Sequence, residues 1–514
     1  MAPTLALTGN LVITITLKNK LRLVIFHFKT SICIILQFKF LFLKMFNSEE
    51  FKKFSKEMID YVADYYDNIE QRSVLPKVQP GYLRSLLPPK APVEPEHWKN
   101  IMQDIEKVII PGVTNWRHPH FHAYFGVGIG YPSIVAEILA NALSGPGFSW
   151  ISMPVSTELE TVMMDWIADL VGLPEHFKFS SNGTGGGIID GFASDVTHYT
   201  LLLARERVIR NYLNDDKTFS KLIMYTSSQA HSSVTKAGLL AGIKVHYVDT
   251  DEMFTLRGVN LEKAIKEDRD KGFIPFYLCA TLGTTTSCAF DNIQELGVIC
   301  NKEKIWLHVD AAYAGSSFAC EENRHFMAGI ELADSFNFNL HKWMLVTVDC
   351  SALYVKDKTE INNSFSVDPV YLKCPIGGEL PLYRNWQIAL ERRFRSLKVW
   401  FTLRLYGQKG IQNHIRKHIQ LAREFEALIK SDDMFEICYP VTMGLVCFRL
   451  KGSNELNQKL NELINAEAQI HITPSKLGEK FILRLSILYE HATTEHIEFA
   501  FNNIKKHAQS LLKS

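Results

Sequence analysis

One lysine, Lys342, is flanked by apolar residues and could act as a nucleophile. It lies in the run Asn337–Trp343 (NFNLHKW), and the apolar run Met344–Val348, which we expect to be a strand, follows directly. Apolar surroundings remove water from an ammonium group and favour the neutral amine, which can form a Schiff base with a carbonyl compound. A lysine beside a histidine and a tryptophan can also extend its amine to the surface. The run by itself leaves both interpretations open.

Two further polar residues come directly after predicted strands. His231 follows the apolar stretch Leu222–Tyr225, and Asp310 follows Ile305–Val309. Ligands of open α/β sheets bind at the carboxyl ends of the strands, so both side chains are placed where a site would form. Either residue alone would more often be structural, but together with Lys342 they indicate a functional site.

A glycine-rich segment, Asn182–Gly187 (NGTGGG), precedes Ile188–Ser194, where we predict the start of a helix that continues to Arg207. Glycines before a helix N-terminus let backbone N–H groups and the helix dipole bind a phosphate. The dinucleotide register fails because Ile188 stands at the third glycine position, and no Walker lysine is present. The segment is therefore predicted to be a phosphate loop for another ligand, or only a turn.

These features match the requirements of one cofactor, pyridoxal phosphate (PLP). PLP needs an amine for its aldehyde, a carboxylate that keeps the pyridine nitrogen protonated, donors for its phosphate and a flat partner on the ring face. The sequence offers Lys342 as the amine, Asp310 as the carboxylate, the glycine-rich segment as the source of phosphate donors, and His231 as the flat partner. The residues themselves therefore predict a PLP site.

The elements that would position these residues follow an α/β pattern. The stretch Leu222–Tyr225, a helix near Val234–Leu240 and the stretch Lys244–Val248 form one predicted βαβ unit, which Phe276–Thr281 and Ile305–Val309 continue. Such continuous apolar runs indicate strands that are covered on both faces. We therefore predict a mostly parallel, doubly wound, seven-stranded-type sheet.

The chain is predicted to have an extension and three folded parts. Residues 1–44 contain six basic residues and no acidic one; we expect an unstructured or non-native extension before Met45, with a transit peptide as the alternative. Residues 45–130 begin with an amphipathic helix and continue with a proline-rich stretch, so we expect a helical strap that forms a dimer. Residues 131–399 are predicted to form the large domain, and residues 400–514 a small C-terminal α+β domain.

Composition excludes several classes of protein. With 514 residues, 46% apolar and 22% charged, the chain is typical of a globular protein. Its formal net charge of +1 argues against a nucleic-acid partner. Nine scattered cysteines without a CxxC pair favour a reducing cytoplasm over disulfides or a zinc ribbon.

The long uncharged run that ends at Leu17 contains polar residues, so no membrane span is expected. The segment His118–His122 lacks neighbouring cysteines or carboxylates, so no metal is expected.

Five runs of the sequence resemble one enzyme family. They are QAHSS (229–233), HVDAAYAG (308–315), NFNLHKW (337–343), TELETVMMDW (157–166) and WQIALERRFRSLK (386–398). Together they resemble the group II pyridoxal-phosphate decarboxylases, in particular the animal, insect-like aromatic-L-amino-acid decarboxylases, over about residues 45–505. The resemblance implies a fold-type-I PLP enzyme that is a homodimer and acts on a small-molecule substrate, an amino acid.

The resemblance also implies roles for individual residues. Lys342 would carry PLP as a Schiff base, Asp310 would pair with the pyridine nitrogen, and His231 would stack on the ring. Tyr371, on a loop at Phe365–Gly378, would protonate the product. The other residues implied to contact the cofactor are Ala312, Ala193, Ser194, Thr285, Asn339 and His341. The implied substrate pocket comprises Tyr124, Phe125, Val127 and Glu391.

Several positions depart from the residues that are usual in this family. The departures are Gly126 and Val127 for Pro and Thr, Phe192 for Ser, Asp195 for Glu, Leu340 for Pro, and Glu391 for Gly or Ser. If Glu391 enters the substrate pocket, it should disfavour catechol and indole rings and favour a smaller or cationic side chain. The alternative is that Glu391 turns away and pairs with Arg392, Arg393 or Arg395.

The predicted reaction is PLP-dependent decarboxylation of an aromatic L-amino acid to its amine and carbon dioxide, in the cytoplasm. One alternative is an aldehyde synthase that releases aldehyde, ammonia and hydrogen peroxide. Relatives of that kind carry Asn at the His231 position or Phe at the Tyr371 position, and this chain keeps His and Tyr. The other alternative is a catalytically silent dimeric paralogue, to which the altered residues near the pocket point, although every cofactor-handling residue is present.

Overall fold

The computed structural model describes residues 46–211, 218–367 and 380–513. These residues form two compact units: one comprises residues 46–71 and 76–113, and the other comprises residues 72–75 and 114–513. The predicted extension at residues 1–44 and the predicted loop residue Tyr371 lie outside the described residues.

The first unit is helical. Its α-helices are α1 (Ser48–Asp67), α2 (Tyr82–Leu86) and α3 (Trp98–Asp104). Asn47 caps α1, because its side-chain oxygen accepts hydrogen bonds of 3.0 Å from two backbone N–H groups of the first turn. Trp98 stacks on Phe54, with ring centroids 5.3 Å apart. The predicted amphipathic helix is confirmed, and within the described residues none of its side chains is fully buried.

A seven-stranded sheet lies at the centre of the second unit. Its strands are β1 (Gly186–Asp190), β2 (Leu222–Ser227), β3 (Lys244–Val248), β4 (Ile274–Thr281), β5 (Trp306–Asp310), β6 (Ser335–Asn339) and β7 (Ser351–Val355). Their spatial order is β1-β7-β6-β5-β4-β2-β3. Strand β7 is antiparallel to both neighbours, and the other six strands run in one direction. The predicted mostly parallel α/β sheet is confirmed.

Helices cover this sheet. They are α4 (Tyr131–Leu143), α5 (Pro154–Val171), α6 (Ala193–Asn211), α7 (Thr218–Lys221), α8 (Ser232–Ala241), α9 (Gly258–Asp270), α10 (Ile293–Glu303), α11 (Leu340–Trp343) and α12 (Thr359–Phe365). Successive side chains of β4 enter different apolar cores: Leu278 and Ala280 pack in one, and Tyr277 and Cys279 in another. Both faces of the sheet are therefore buried, which explains the continuous apolar runs in the sequence.

The C-terminal part of this unit contains a second sheet. Its elements are α13 (Arg395–Lys430), β8 (Phe435–Ile437), β9 (Leu445–Leu450), α14 (Asn454–Glu467), β10 (Thr473–Leu477), β11 (Lys480–Ser486) and α15 (Thr494–Lys513). The four strands are antiparallel in the order β10-β11-β9-β8. The predicted α+β character is confirmed, although β10 was not predicted. Within the described residues, no helix is long and apolar enough to span a membrane.

Two predicted elements were wrong. Met344–Val348 is not a strand; β6 ends at Asn339, and Lys342 lies on the one-turn helix α11. Residues 188–190 do not begin a helix, because they pair with β7 as part of β1. The chain therefore enters helix α6 only at Ala193.

The division between the compact units follows residue 113, whereas the sequence predicted a boundary at residue 130. Residues 114–130 belong to the second unit because they bond to its C-terminal part: the His122 N–H donates to His471 O at 2.8 Å, and the Ser486 N–H donates to His122 O at 3.0 Å. The division also places residues 131–399 and 400–513 in one unit.

Candidate active site

A cavity of about 220 Å³, here called the strand-end pocket, lies at the carboxyl ends of β1, β2, β4, β5 and β6. These five strands run in one direction, so the residues that follow them meet at one edge of the sheet. Ten predicted site residues line the pocket: Phe125, Ala193, Ser194, His231, Thr285, Asp310, Ala312, Asn339, His341 and Lys342.

Lys342 supplies an amine to the strand-end pocket. Burial lowers the pKa of this amine; the charge of Asp310 opposes that effect, and the charge of Arg484 adds to it. A lower pKa leaves more of the amine in the neutral, nucleophilic form at a given pH. The ring of Phe125 lies nearby, with its centroid 5.9 Å from Lys342 Nζ.

Asp310 supplies a buried carboxylate. It is the last residue of β5 and only 3% exposed. Its Oδ1 accepts a hydrogen bond from the Ala312 N–H at 2.9 Å, which fixes the orientation of the carboxylate. The negative charge raises the pKa of both Lys342 and His231. Such a buried anion favours a cationic or proton-donating partner in the same pocket.

His231 caps the N-terminus of α8 and remains exposed at one side of the pocket. Its Nδ1 accepts a hydrogen bond from the Ser233 N–H at 3.2 Å, and the Ser233 hydroxyl lies 2.8 Å from the same nitrogen. Desolvation by the surrounding protein lowers the pKa of His231; Asp310 opposes this shift and Lys342 adds to it. The environment therefore favours the neutral imidazole.

The pocket also contains groups suited to a phosphate. Ala193 and Ser194 begin α6, so their backbone N–H groups belong to a helix N-terminus. Among the described residues, the buried Thr281 Oγ1 and Asn339 Oδ1 have no hydrogen-bond partner. Buried polar groups are normally paired, so these atoms indicate that a polar ligand belongs beside them.

The glycine-rich segment Asn182–Gly187 does not line the pocket. It leads into the amino end of β1, whereas the pocket lies beyond the carboxyl end of that strand, after Asp190. A Cβ on Gly185, Gly186 or Gly187 would collide with residues packed against the segment, namely His176, Phe179 and Met164. The prediction of a phosphate loop was wrong. These glycines permit close packing, and the start of α6 provides the helix N-terminus instead.

Stacked rings form one wall of the pocket. Phe125 stacks on Tyr313 with centroids 3.7 Å apart, and Tyr313 stacks on Trp343 at 4.8 Å. The guanidinium of Arg484 lies 5.1 Å from the Phe125 centroid and donates a hydrogen bond to Thr286 O at 3.1 Å. This wall holds Phe125 in place beside Lys342.

Sequence reasoning missed several residues at the pocket. Tyr313 and Ser233 were available in the runs HVDAAYAG and QAHSS, but no role had been assigned to them. Thr281 and Gly283 could have been found, because they end and follow a predicted strand. Arg484 carried no signal, since it lies far along the chain in β11 and reaches the site only through the tertiary fold.

Three predicted pocket residues do not line the strand-end pocket of a single chain. Tyr124 is 49% exposed and stacks on Trp116 at 5.3 Å. Val127 is partly buried outside the pocket lining. Glu391 is exposed and lines a different cavity of about 390 Å³. Tyr371 lies outside the described residues.

Glu391 turns away from the strand-end pocket, as the alternative holds, but among the described residues no ion pair joins it to a neighbouring arginine. The three arginines have other partners. Arg392 pairs with Glu160, Arg393 with Glu137 and Asp349, and Arg395 with Asp349.

The pocket residues fit PLP by their chemistry. They provide a desolvated amine, a buried carboxylate, a small residue at Ala312, a planar imidazole, and a helix N-terminus with unpaired polar atoms nearby. These are the groups that the aldehyde, the pyridine ring and the phosphate require. Among the described residues, no group of three His, Cys, Asp or Glu side chains is arranged to hold a metal ion.

Comparison with known proteins identifies the class. Residues 80–451 match the family described as "Pyridoxal-dependent decarboxylase conserved domain". The chain belongs to this family. It is therefore a PLP-dependent decarboxylase with the α/β architecture of fold type I.

The similar proteins narrow the class. Aromatic-L-amino-acid decarboxylase of Mus musculus is 51% identical over 476 residues, which cover 91% of this chain and 99% of the relative. The Drosophila melanogaster protein of the same name is 50% identical, with 90% and 92% covered. A structure of Oryza sativa TDC with PLP and tryptamine has a TM-score of 0.88 at 33% identity, and covers 91% of this chain and 99% of that chain.

Proposed function

We propose that this enzyme decarboxylates an aromatic L-amino acid to the corresponding amine and carbon dioxide. The observation that carries the proposal is the desolvated Lys342 amine in one pocket with the buried Asp310 carboxylate. The relatives that are about half identical over most of the chain are named for this activity. When bound, PLP supplies an aldehyde for the amino acid and a ring that accepts the electron pair left by carbon dioxide.

The proposed roles follow from the charges and positions of the side chains. Lys342 would hold the cofactor covalently through its desolvated amine and would yield that position to the amine of the substrate. Asp310 keeps a proton on the pyridine nitrogen, because a buried anion stabilises a cation beside it. His231 lies against the ring, and Ala312 leaves room for it. These groups orient the substrate and disperse charge, which are the main sources of rate enhancement here.

The remaining contacts concern the phosphate and the product. The backbone at Ala193, with Ser194, Thr285 and Asn339, binds the phosphate at the start of α6, and His341 supports Lys342 from the adjacent position. Tyr371 donates the proton that completes the amine. This last role rests on the resemblance alone, because Tyr371 lies outside the described residues.

We further propose that the enzyme is a cytoplasmic homodimer. Within the described residues, helix α1 carries large apolar side chains that remain exposed, including Phe51 at 52% and Ile59 at 53%. A second copy could bury them through a two-fold symmetric contact. The seven cysteines among the described residues are free, which is consistent with a reducing compartment.

Neither alternative is favoured. An aldehyde synthase would release hydrogen peroxide, and a silent paralogue need not retain the residues that handle the cofactor. His231 is present in the pocket, and so is every cofactor-handling residue among the described residues.

Product analysis tests the proposal directly. Purified enzyme is incubated with dopa, tyrosine, tryptophan and histidine in turn, and amine, carbon dioxide, aldehyde and peroxide are measured. We expect amine and carbon dioxide in equal amounts with at least one of these amino acids. Peroxide in proportion to carbon dioxide would establish the aldehyde synthase instead.

A variant pair tests the role of Lys342. Lys342→Ala should lose both turnover and the visible absorbance of the Schiff base, because no other lysine among the described residues lines the pocket. Lys236→Ala, which changes an exposed lysine of α8, is the matched control and should retain both. Turnover and absorbance that survive in Lys342→Ala would overturn the assignment.

A further inference from the structure

Two donors from one residue meet a single nitrogen of His231. The Ser233 N–H points at Nδ1 from 3.2 Å, and the Ser233 Oγ lies 2.8 Å from Nδ1. A backbone N–H can only donate, so Nδ1 must accept and cannot carry a proton. The hydroxyl must then donate as well. In the neutral imidazole the remaining proton is consequently on Nε2.

Ser233 is well placed to impose this arrangement. It is only 7% exposed, lines the strand-end pocket, and occupies the second position of α8. Its backbone is held by the helix, and its side chain has little freedom to leave. His231 is the N-cap residue of the same helix. One short segment therefore fixes both the ring and the group that orients it.

The surrounding charges act on the same ring. A cation at a helix N-terminus is disfavoured by the helix dipole, and an imidazolium could form only by breaking the contact with the Ser233 N–H and turning the Ser233 hydroxyl from donor to acceptor. Lys342 on α11 also opposes a positive charge on the ring, whereas Asp310 on β5 favours one. The Ser233 N–H, the helix dipole and Lys342 therefore all disfavour a positive charge on His231, whereas Asp310 favours one.

We propose that Ser233 is a positioning residue that holds His231 as the neutral Nε2–H tautomer, with its ring plane fixed in the pocket. The proposal rests on the proposed function in one respect, namely that His231 faces PLP. Ser233 then presents a ring face to the cofactor and leaves Nε2–H as the only ring donor for a substrate or a proton transfer. It would be a determinant of turnover without touching the reacting atoms.

The tautomer can be measured on the full-length holoenzyme. The protein is labelled with ¹⁵N-histidine, and the ring nitrogens of His231 are assigned by their loss in His231→Gln. We expect an unprotonated Nδ1 and a protonated Nε2 in the native enzyme. Ser233→Ala should shift both resonances toward a mixture of tautomers, because the 2.8 Å hydroxyl contact is lost and the remaining 3.2 Å contact with the backbone N–H is weaker and can lengthen when Nδ1 takes a proton. Ser233→Thr, which keeps a hydroxyl, should preserve the native pattern.

Ser232→Ala is the matched control, because Ser232 is the adjacent exposed serine of the same helical turn. It should leave the His231 resonances and the kinetics unchanged. Ser233→Ala should lower kcat roughly three- to tenfold, as for loss of one neutral hydrogen bond, and leave KM within about twofold. The acid limb of its pH profile should move to higher pH, since protonation of the ring is less strongly opposed.

These measurements test the role of Ser233 independently of the proposed decarboxylation. A native His231 that is protonated on Nδ1 overturns the proposal without any variant. So does a Ser233→Ala enzyme that matches the native one in tautomer, kcat and pH profile, or one in which only the tautomer changes. If the native enzyme forms no amine but shows the expected tautomer and visible cofactor absorbance, the proposed reaction fails while the orientation of His231 stands.

Discussion

At the residue scale, the strand-end pocket places three titratable groups under one another's influence. Burial favours the neutral forms of Lys342 and His231; the charge of Lys342 further lowers the pKa of His231, and that of Arg484 further lowers the pKa of Lys342. Asp310 counteracts both effects, yet the Lys342 pKa remains below its ordinary value. Burial in the pocket therefore shifts the amine and the imidazole toward their neutral forms beside a single carboxylate, which suits covalent capture of an aldehyde better than ion binding.

Glu391 is the residue from which we predict substrate choice. It is exposed in one chain, so we expect it to reach the pocket of a partner subunit, where family members keep Gly or Ser. Glu391→Gly should raise kcat/KM for dopa and tryptophan roughly 5- to 150-fold, corresponding to about 1–3 kcal/mol of relieved overpacking. The value for histidine should not rise, because the carboxylate that favours a cationic ring is lost.

Glu391→Gln separates bulk from charge in this comparison. It keeps the volume of the side chain, so dopa should remain a poor substrate while the preference for histidine weakens. Steady-state kinetics with the four amino acids provide the measurement. Equal turnover of dopa by the native enzyme and by Glu391→Gly would show that Glu391 does not shape specificity.

At the element scale, a buried ion pair anchors the loop that carries Glu391. Arg392 and Glu160 are 2% and 1% exposed, and their side chains are 2.7 Å apart. Glu160 also accepts a hydrogen bond from the Ile189 N–H of β1 at 2.7 Å, and Gln387 donates one to Glu391 O at 3.0 Å. These contacts attach the loop, residues 386–394, to helix α5 and strand β1. They restrict the movement of its backbone, including that of Glu391.

Breaking this ion pair should destabilise the protein strongly. Arg392→Met leaves the Glu160 carboxylate buried without its cation, and we expect a loss of about 3–5 kcal/mol in the free energy of unfolding. Arg393→Met removes a half-exposed partner and should cost only about 0–1 kcal/mol. Urea denaturation of both variants tests this. The double variant Glu160→Met/Arg392→Met should recover most of the loss, because no buried charge remains.

At the scale of the whole molecule, the proposed dimer would bury the exposed apolar side chains of α1 against a second copy of the chain. Deleting residues 1–83 should give insoluble or monomeric, inactive protein, whereas deleting residues 1–44 should leave a dimeric, active enzyme. Analytical ultracentrifugation and the amine assay provide the measurements. A soluble and fully active monomer from the longer deletion would count against the dimer-forming role of this segment.

Acid stability is a second property of the whole molecule. Burial lowers the pKa of His120 to about 3 and of His122, His308, His341 and His418 to about 4. The unfolded chain binds protons at these groups from about pH 6.5 downward, whereas the folded protein does not until about pH 4. The free energy of unfolding should therefore fall as the pH drops from about 6.5 to 4.

His122 allows this to be tested at one position. Its Nδ1 lies 3.1 Å from Ser486 O, and it is buried near His118 and His496. His122→Gln should reduce the loss of stability between pH 7 and pH 5 by about 2 kcal/mol, the linkage expected of one such group. His97→Gln, at a side chain 56% exposed, is the control. Equal pH dependence of the urea midpoint in His122→Gln and the native protein would contradict the prediction.

Much of the architecture was predictable from the sequence because it depends on local pattern. Apolar runs such as Phe276–Thr281 can be buried only between two layers of helices, and chain order alternates strands with helices. The polar residues at strand ends, His231 and Asp310, then share an edge because parallel strands end together. The motifs around Lys342 also allowed the cofactor and the class of reaction to be predicted.

Other features depend on contacts between distant parts of the chain, and only the tertiary structure decided them. The glycine-rich segment has the composition of a phosphate loop, but β1 lies beside β7 and runs parallel to β6, so its carboxyl end and not its glycine-rich amino end reaches the pocket. Arg484 approaches Phe125 from another sheet. Arg392 pairs with Glu160 rather than with Glu391, which adjoins it in the chain. Strand order and side-chain partners are set by packing across the whole unit, which local periodicity does not encode.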